Sequence, residues 1–104
     1  MSRAQLCHAI RQRFLVQLRY GDDRLARVFA PHVVYRSSAD NLLVGGSQLF
    51  NAAKPEDDEA PRFLALTKIH DLRVTAERFE PRSWFDPADE RFREGTVCHI
   101  FQQD

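Results

Sequence analysis

The spacing of apolar residues changes once, abruptly, near the N-terminus, and that change constrains the fold most. Leu6, Ile10 and Phe14 recur at i, i+4 and i+8, which is one face of a helix. From Phe14 to Tyr20 the period becomes two: Phe14, Val16, Leu18 and Tyr20 are apolar, while Gln17 and Arg19 are polar. Successive strand side chains point to opposite faces, so this alternation marks a half-buried strand. Ser2 suits an N-cap, and Ser2-Arg3-Ala4-Gln5 fits a capping box. The expectation is a helix over about residues 3–12 that runs directly into a strand over 14–20.

Further along, turn residues alternate with short apolar runs. Gly21-Asp22-Asp23 reads as a turn. Leu25 to Ala30 reads as a strand, stopped or bent at Pro31 and continued by His32 to Arg36. Ser37 to Asn41 is a polar turn, and Leu42 to Gly46 a buried strand whose glycine pair suggests a bulge, a bend or a close backbone approach. Asn51 to Pro61 reads as an exposed loop. Arg62 to Ile69 and Asp71 to Thr75 read as strands, with a bend near His70. A short helix near Pro87–Arg91 and a last strand over Thr96 to Gln102 complete the chain. One helix followed by about five short, bent strands predicts a mainly β fold, a small barrel or sandwich. Barrel closure would remove the exposed sheet edges. A chain of 104 residues is one domain: helix, barrel to about residue 80, and a C-terminal extension over 81–104.

Charge and cysteine narrow the function classes. Fifteen basic residues balance fifteen acidic ones, so the basic signature of a duplex-DNA binder is absent. The distribution is uneven: residues 1–39 hold seven arginines against Asp22 and Asp23, and residues 40–61 hold Lys54 against five carboxylates. Only Lys54 and Lys68 are lysines, and arginine's planar fork suits phosphate and carboxylate. A GC-rich coding sequence produces the same bias. No apolar run reaches the roughly 18–20 residues of a membrane span, and no signal-peptide pattern opens the chain. Cys7 and Cys98 then read as buried free thiols in a reducing, cytoplasmic setting.

Catalytic and metal motifs are not visible. There is no nucleophile elbow, P-loop, dinucleotide fingerprint or zincin helix, so no enzyme and no cofactor is expected. Cys7-His8 and Cys98-His99 invite a zinc reading, but neighbouring residues diverge on a helix or a strand, and the usual Cys spacing is missing. The Glu56–Glu59 run lacks the alternating pattern of a calcium loop and reads as solvated. Asp86 and Glu90 fit a capped short helix better than an acid–base pair.

Several side chains suit a binding role. His32 could stack on a base or donate to phosphate, or sit half-buried and satisfied by backbone. Ser47 and Gln48, just after the glycine pair, could offer polar contacts or simply end a strand. Tyr20, Phe29 and Tyr35 are stacking surfaces or core.

The order of weak motifs resembles the WYL domain family. Leu6 to Ile10 and Phe14 to Tyr20 look like its opening helix and first strand, Arg27 with Pro31 like its second strand. Leu42-Leu43-Val44-Gly45 sits where the name-giving Trp-Tyr-Leu strand falls, and Arg62 to Ile69 resembles its Arg-x-Phe-x-Leu-x-Arg-Ile strand. Phe79 matches a terminal Phe. Asn41 and Leu42 replace the Trp and Tyr, Lys68 the second Arg, and Thr67 a usual Asp. The resemblance covers about residues 6–80. It implies an Sm-like or SH3-like β-barrel with a preceding helix, acting as a ligand-sensing module in bacterial transcription or stress regulation. It further implies that Arg27, Arg62 and Lys68 converge on single-stranded nucleic acid or a nucleotide-like anion; His32, Ser47 and Gln48, singled out above on their own positions, complete the expected ligand-binding set. As a free-standing module without a helix-turn-helix, it would act through a protein partner that binds DNA or as a homo-oligomer. The competing expectation is a protein-interaction or oligomerisation domain whose ligand pocket is lost. A small hydrolase is the residual third.

Overall fold

A computed structural model describes residues 2–93 and 95–101. Helix α1 spans Ser2–Gln12 and buries Leu6, Cys7, Ala9 and Ile10. It stops at Arg13, whose φ of 59° turns the chain straight into strand β1, Phe14–Tyr20. The change of period at Phe14 is therefore a real junction between helix and sheet.

Strands β2 (Arg27–Arg36) and β3 (Leu42–Asn51) run ten residues each, longer than the sequence patterns suggest. Pro31 does not end β2. Opposite it, Pro31 pairs with Gly46 and Val33 with Gly45, so His32 is the extra residue of a β-bulge. A bulge leaves one residue out of the ladder and tolerates a proline beside it. The glycine pair serves the close approach. A Cβ at Gly46 would lie 2.2 Å from the Ala30 carbonyl oxygen, and one at Gly45 would meet Phe63 and Val33 at 3.0 Å.

Strand β4 (Ala60–Ala65) is followed by a 3₁₀ turn over Leu66–Lys68 and then β5 (Ile69–Arg78). The strand expected over 62–69 is thus broken, and the bend comes before His70. The reason is topological: β4 pairs with β3 while β5 pairs with β1, so the chain must cross from one edge to the other. The Tyr20 hydroxyl accepts from the Ala65 N–H at 2.9 Å, and the Lys68 carbonyl accepts from the Gly21 N–H at 2.9 Å. Helix α2 is the single turn Glu90–Arg93, and β6 is Thr96–His99, shorter than expected; Gln102 lies outside the described residues.

The fold is mainly β: a six-stranded antiparallel sheet, ordered β4-β3-β2-β1-β5, with β6 beside β2. β3 occupies one edge of β2 throughout. The other edge is shared, by β1 at Arg27–Phe29 and by β6 at Val33–Tyr35. No pairing joins β4 to β5 among the described residues, so the sheet is not closed and the expected barrel closure is not seen. Because α1 and the segment after β5 both pack on the sheet, Phe29 to Tyr35 are buried without alternation.

One expectation is overturned. Cys7 and Cys98 are not free thiols: they form a disulfide that links α1 to β6, with Cα atoms 5.9 Å apart across a sequence separation of 91. Local pattern could not anticipate this, because only the packing of α1 against β6 brings the two together. A disulfide does not fit the reducing setting that the missing signal-peptide pattern suggested. No helix among the described residues is long and apolar enough to cross a membrane.

Candidate ligand-binding groove

The polar residues singled out in the sequence are mostly consumed by the fold. The bulge turns His32 inward, where it is fully buried. Its Nδ1–H donates to the Ala30 carbonyl at 2.8 Å, and its Nε2 accepts from the Arg82 backbone N–H at 2.9 Å. The rings of Trp84, Phe79 and Phe85 surround it at 5.2, 5.3 and 5.7 Å. Burial penalises the imidazolium and pushes its pKa below the usual histidine value. Both nitrogens are engaged and the ring is neutral, so His32 has no free valence for a ligand.

Ser47 belongs to the same cluster. Its Oγ accepts from Trp84 Nε1–H at 2.7 Å. Beside it, Arg82 grips Glu59 with two hydrogen bonds of 2.7 and 3.1 Å. That grip, and a smaller contribution from Ser47, hold the Glu59 carboxyl below its usual range.

Arg27 and Gln48 meet each other, but as a structural set. Arg27 donates to Gln48 Oε1 at 3.0 Å and to both Asp23 oxygens at 2.6 and 3.1 Å. Its guanidinium also lies 5.6 Å from the centre of the Tyr20 ring. The Arg27 hydrogen bond keeps the Asp23 carboxyl low. Arg62 is exposed and donates back to the Pro61 carbonyl at 3.0 Å. Lys68 is exposed at the end of the 3₁₀ turn. Neither shares a hydrogen bond with the other four among the described residues. Phe29 and Tyr35 are core, only 0% and 2% exposed, and offer no stacking face.

Elsewhere the structure leaves polar valence open. At the far end of β2, a groove of about 670 Å³ lies between Tyr35–Ser38, Phe63 of β4, Glu90 and Arg91 of α2, and Gly95. The exposed Arg91 guanidinium rests over the Phe63 ring, 4.3 Å from its centre, a cation–π geometry. Phe63 is braced edge-on by Trp84 at 6.1 Å and fits because Gly45 has no side chain. Among the described residues Arg36 makes only long side-chain hydrogen bonds, to the Asp40 carboxylate and carbonyl at 3.4 and 3.5 Å. Its backbone N–H donates to the Gly95 carbonyl at 2.8 Å, which docks the turn after α2 onto β2. A Cβ at Gly95 would stand 2.2 Å from the Arg36 carbonyl oxygen, so this docking requires glycine.

This groove can offer two guanidinium groups, one of them stacked on Phe63, and two serine residues to a planar anion. Sequence reasoning quoted Phe63 only within a motif and passed over Arg36 and Arg91. The available signal was an arginine in the aromatic stretch from Trp84 to Phe92. Comparison with protein-family models, curated proteins and solved structures finds no match to this chain.

Proposed function

We propose that the chain is a non-catalytic, ligand-sensing module that takes single-stranded nucleic acid or a nucleotide-like anion in the groove at the far end of β2. The observation that carries this reading is the Arg91–Phe63 stack standing open beside Arg36. A base lies on the guanidinium, as bases do on arginine and aromatic planes, and phosphate oxygens take the Arg36 fork. The WYL-like, Sm-type reading is supported by the helix-first order and the mainly β fold. Its setting in that reading is bacterial transcription or stress regulation, with output through a DNA-binding partner or a second copy.

Fluorescence anisotropy of labelled single-stranded DNA and RNA at two salt concentrations tests it. Binding should weaken with salt, with a slope of roughly −0.7 per phosphate contacted. Arg91→Ala should weaken it about tenfold, the loss expected for one charged contact, and Arg62→Ala much less. A loss at Arg62 that matches Arg91 would move the site to β4 and the family's own pattern. No salt-sensitive binding at tens of micromolar protein would sink the reading.

A docking domain with a lost pocket is the second reading. It is favoured by Asn41 and Leu42 at the family's Trp-Tyr positions and by Phe50, 44% exposed on β3. Salt-insensitive association would support it.

A further inference from the structure

Between β1, the β1–β2 connection and β5 lies a second groove, about 580 Å³, that the proposed function does not use. Arg19 of β1, Arg24 of the β1–β2 turn and Arg73 of β5 all line it, with Asp71 as the one carboxylate. Arg24 and Arg73 are exposed and have no ion-pair partner among the described residues. Arg19 is paired with Asp71, but both side chains are open to solvent, 42% and 62% exposed. Such an exposed pair is weak and exchanges easily for a better anion.

The backbone is shaped around this contact. The β1–β5 register slips between Gln17 and Arg19, so β5 bulges at Asp71, whose φ is 50°. Bulges re-aim side chains, and this one sets the carboxylate against Arg19. In a protein of zero net charge, three guanidiniums against one carboxylate leave a local excess of two positive charges. That excess matches a phosphate dianion, whose oxygens suit the arginine fork. Leu25, half exposed, and Leu72 give the groove an apolar wall beside the cations.

We infer that this groove is an anion site that binds the phosphate group of a small phosphorylated ligand, with Asp71 as the resident competitor that the phosphate displaces from Arg19. The inference stands apart from the groove at Arg91.

Calorimetric titration of the intact protein with inorganic phosphate, pyrophosphate and hexyl phosphate tests it. Saturable pyrophosphate binding is expected, and Arg24→Gln with Arg73→Gln should weaken it at least about tenfold. Asp71→Asn should strengthen it several-fold, because Asn tolerates the same left-handed backbone while removing the competing charge. Lys54→Gln, an exposed lysine that lines neither groove, should leave it unchanged. Tighter binding of hexyl phosphate than of inorganic phosphate would place the apolar wall in the site; equal binding would assign recognition to the phosphate alone. Three results overturn the inference: no saturable binding at millimolar pyrophosphate, binding that survives the double arginine variant, or Asp71→Asn without gain.

Discussion

The cluster around His32 and the groove around Arg91 are built from the same parts and end in opposite states. Both sit on the β2–β3 pair, and both are completed by the segment after β5. At His32 that segment brings the Arg82 backbone, Trp84 and Phe85, and every polar atom finds a partner. At Arg91 it brings a guanidinium whose partner is the face of Phe63, which leaves its N–H groups free for other acceptors. The difference is burial. A polar group taken out of water must be satisfied internally or it costs stability. A residue type suited to binding therefore says little until its exposure is known. Arg27 makes the same point, neutralised by Asp23 before any ligand arrives.

The largest expected effect strikes both regions together. The Cys7–Cys98 disulfide closes a loop with a sequence separation of 91 and secures β6, which the segment carrying Trp84 and Arg91 meets through Phe85 on His99 and the Phe92 carbonyl on Thr96. Its loss, by reduction or in a Cys7→Ser/Cys98→Ser variant, should cost about 4–5 kcal/mol by the chain-entropy estimate. Urea denaturation with and without reductant measures it. If stability is unchanged, the disulfide does not organise the two regions.

Next comes a change that separates them. His32→Ala removes a ring with two hydrogen bonds and leaves a cavity, and should cost about 3 kcal/mol. Binding at the groove should persist wherever the variant is folded. The same residue sets a pH dependence. Its folded pKa lies below its unfolded value, so the unfolded chain takes up the proton first as pH falls. Stability should be complete above about pH 6.5 and decline below it, until the buried ring itself protonates. Asp23 and Glu59 are held low by Arg27 and Arg82, so their contributions are present above the usual carboxylate range and are lost only in stronger acid. Urea midpoints between about pH 6.5 and 5 should thus slope in the native chain and flatten in His32→Ala. A slope that persists would assign the effect to another group.

The smallest effect sharpens the contrast from the other side. Arg91→Ala should change stability by less than about 1 kcal/mol, since an exposed cation–π contact is worth little. A larger loss would make Arg91 a structural residue like Arg27.

Much of this was legible along the chain. The helix-to-strand junction at Phe14 followed from a change of period, and of the bulge, bend or close approach that the glycine pair suggested, Gly46 makes the close approach, against Ala30. Beyond such local signals the pattern failed for identifiable reasons. Arg62 to Ile69 alternates well enough for one strand, yet the chain must leave β3's side and reach β1, so it turns at Leu66–Lys68. Arg27, Arg62 and Lys68 looked like one set because they are cations in a family-like order. Their partners, however, come from other segments, and the arginines that share grooves are different ones.

By itself the sequence determined the order of helix and strands and the junction at Phe14, because apolar period and turn residues act over a few neighbours, whereas the bounds of β2, β3, β4 and β5 followed from their pairing. It also determined that the fold is mainly β. The tertiary structure alone decided that Cys7 meets Cys98, that His32 is sealed, and which arginines face solvent together. Those outcomes depend on contacts between residues far apart in the chain, and burial, which settles whether a polar group is spent or available, exists only once such contacts have formed.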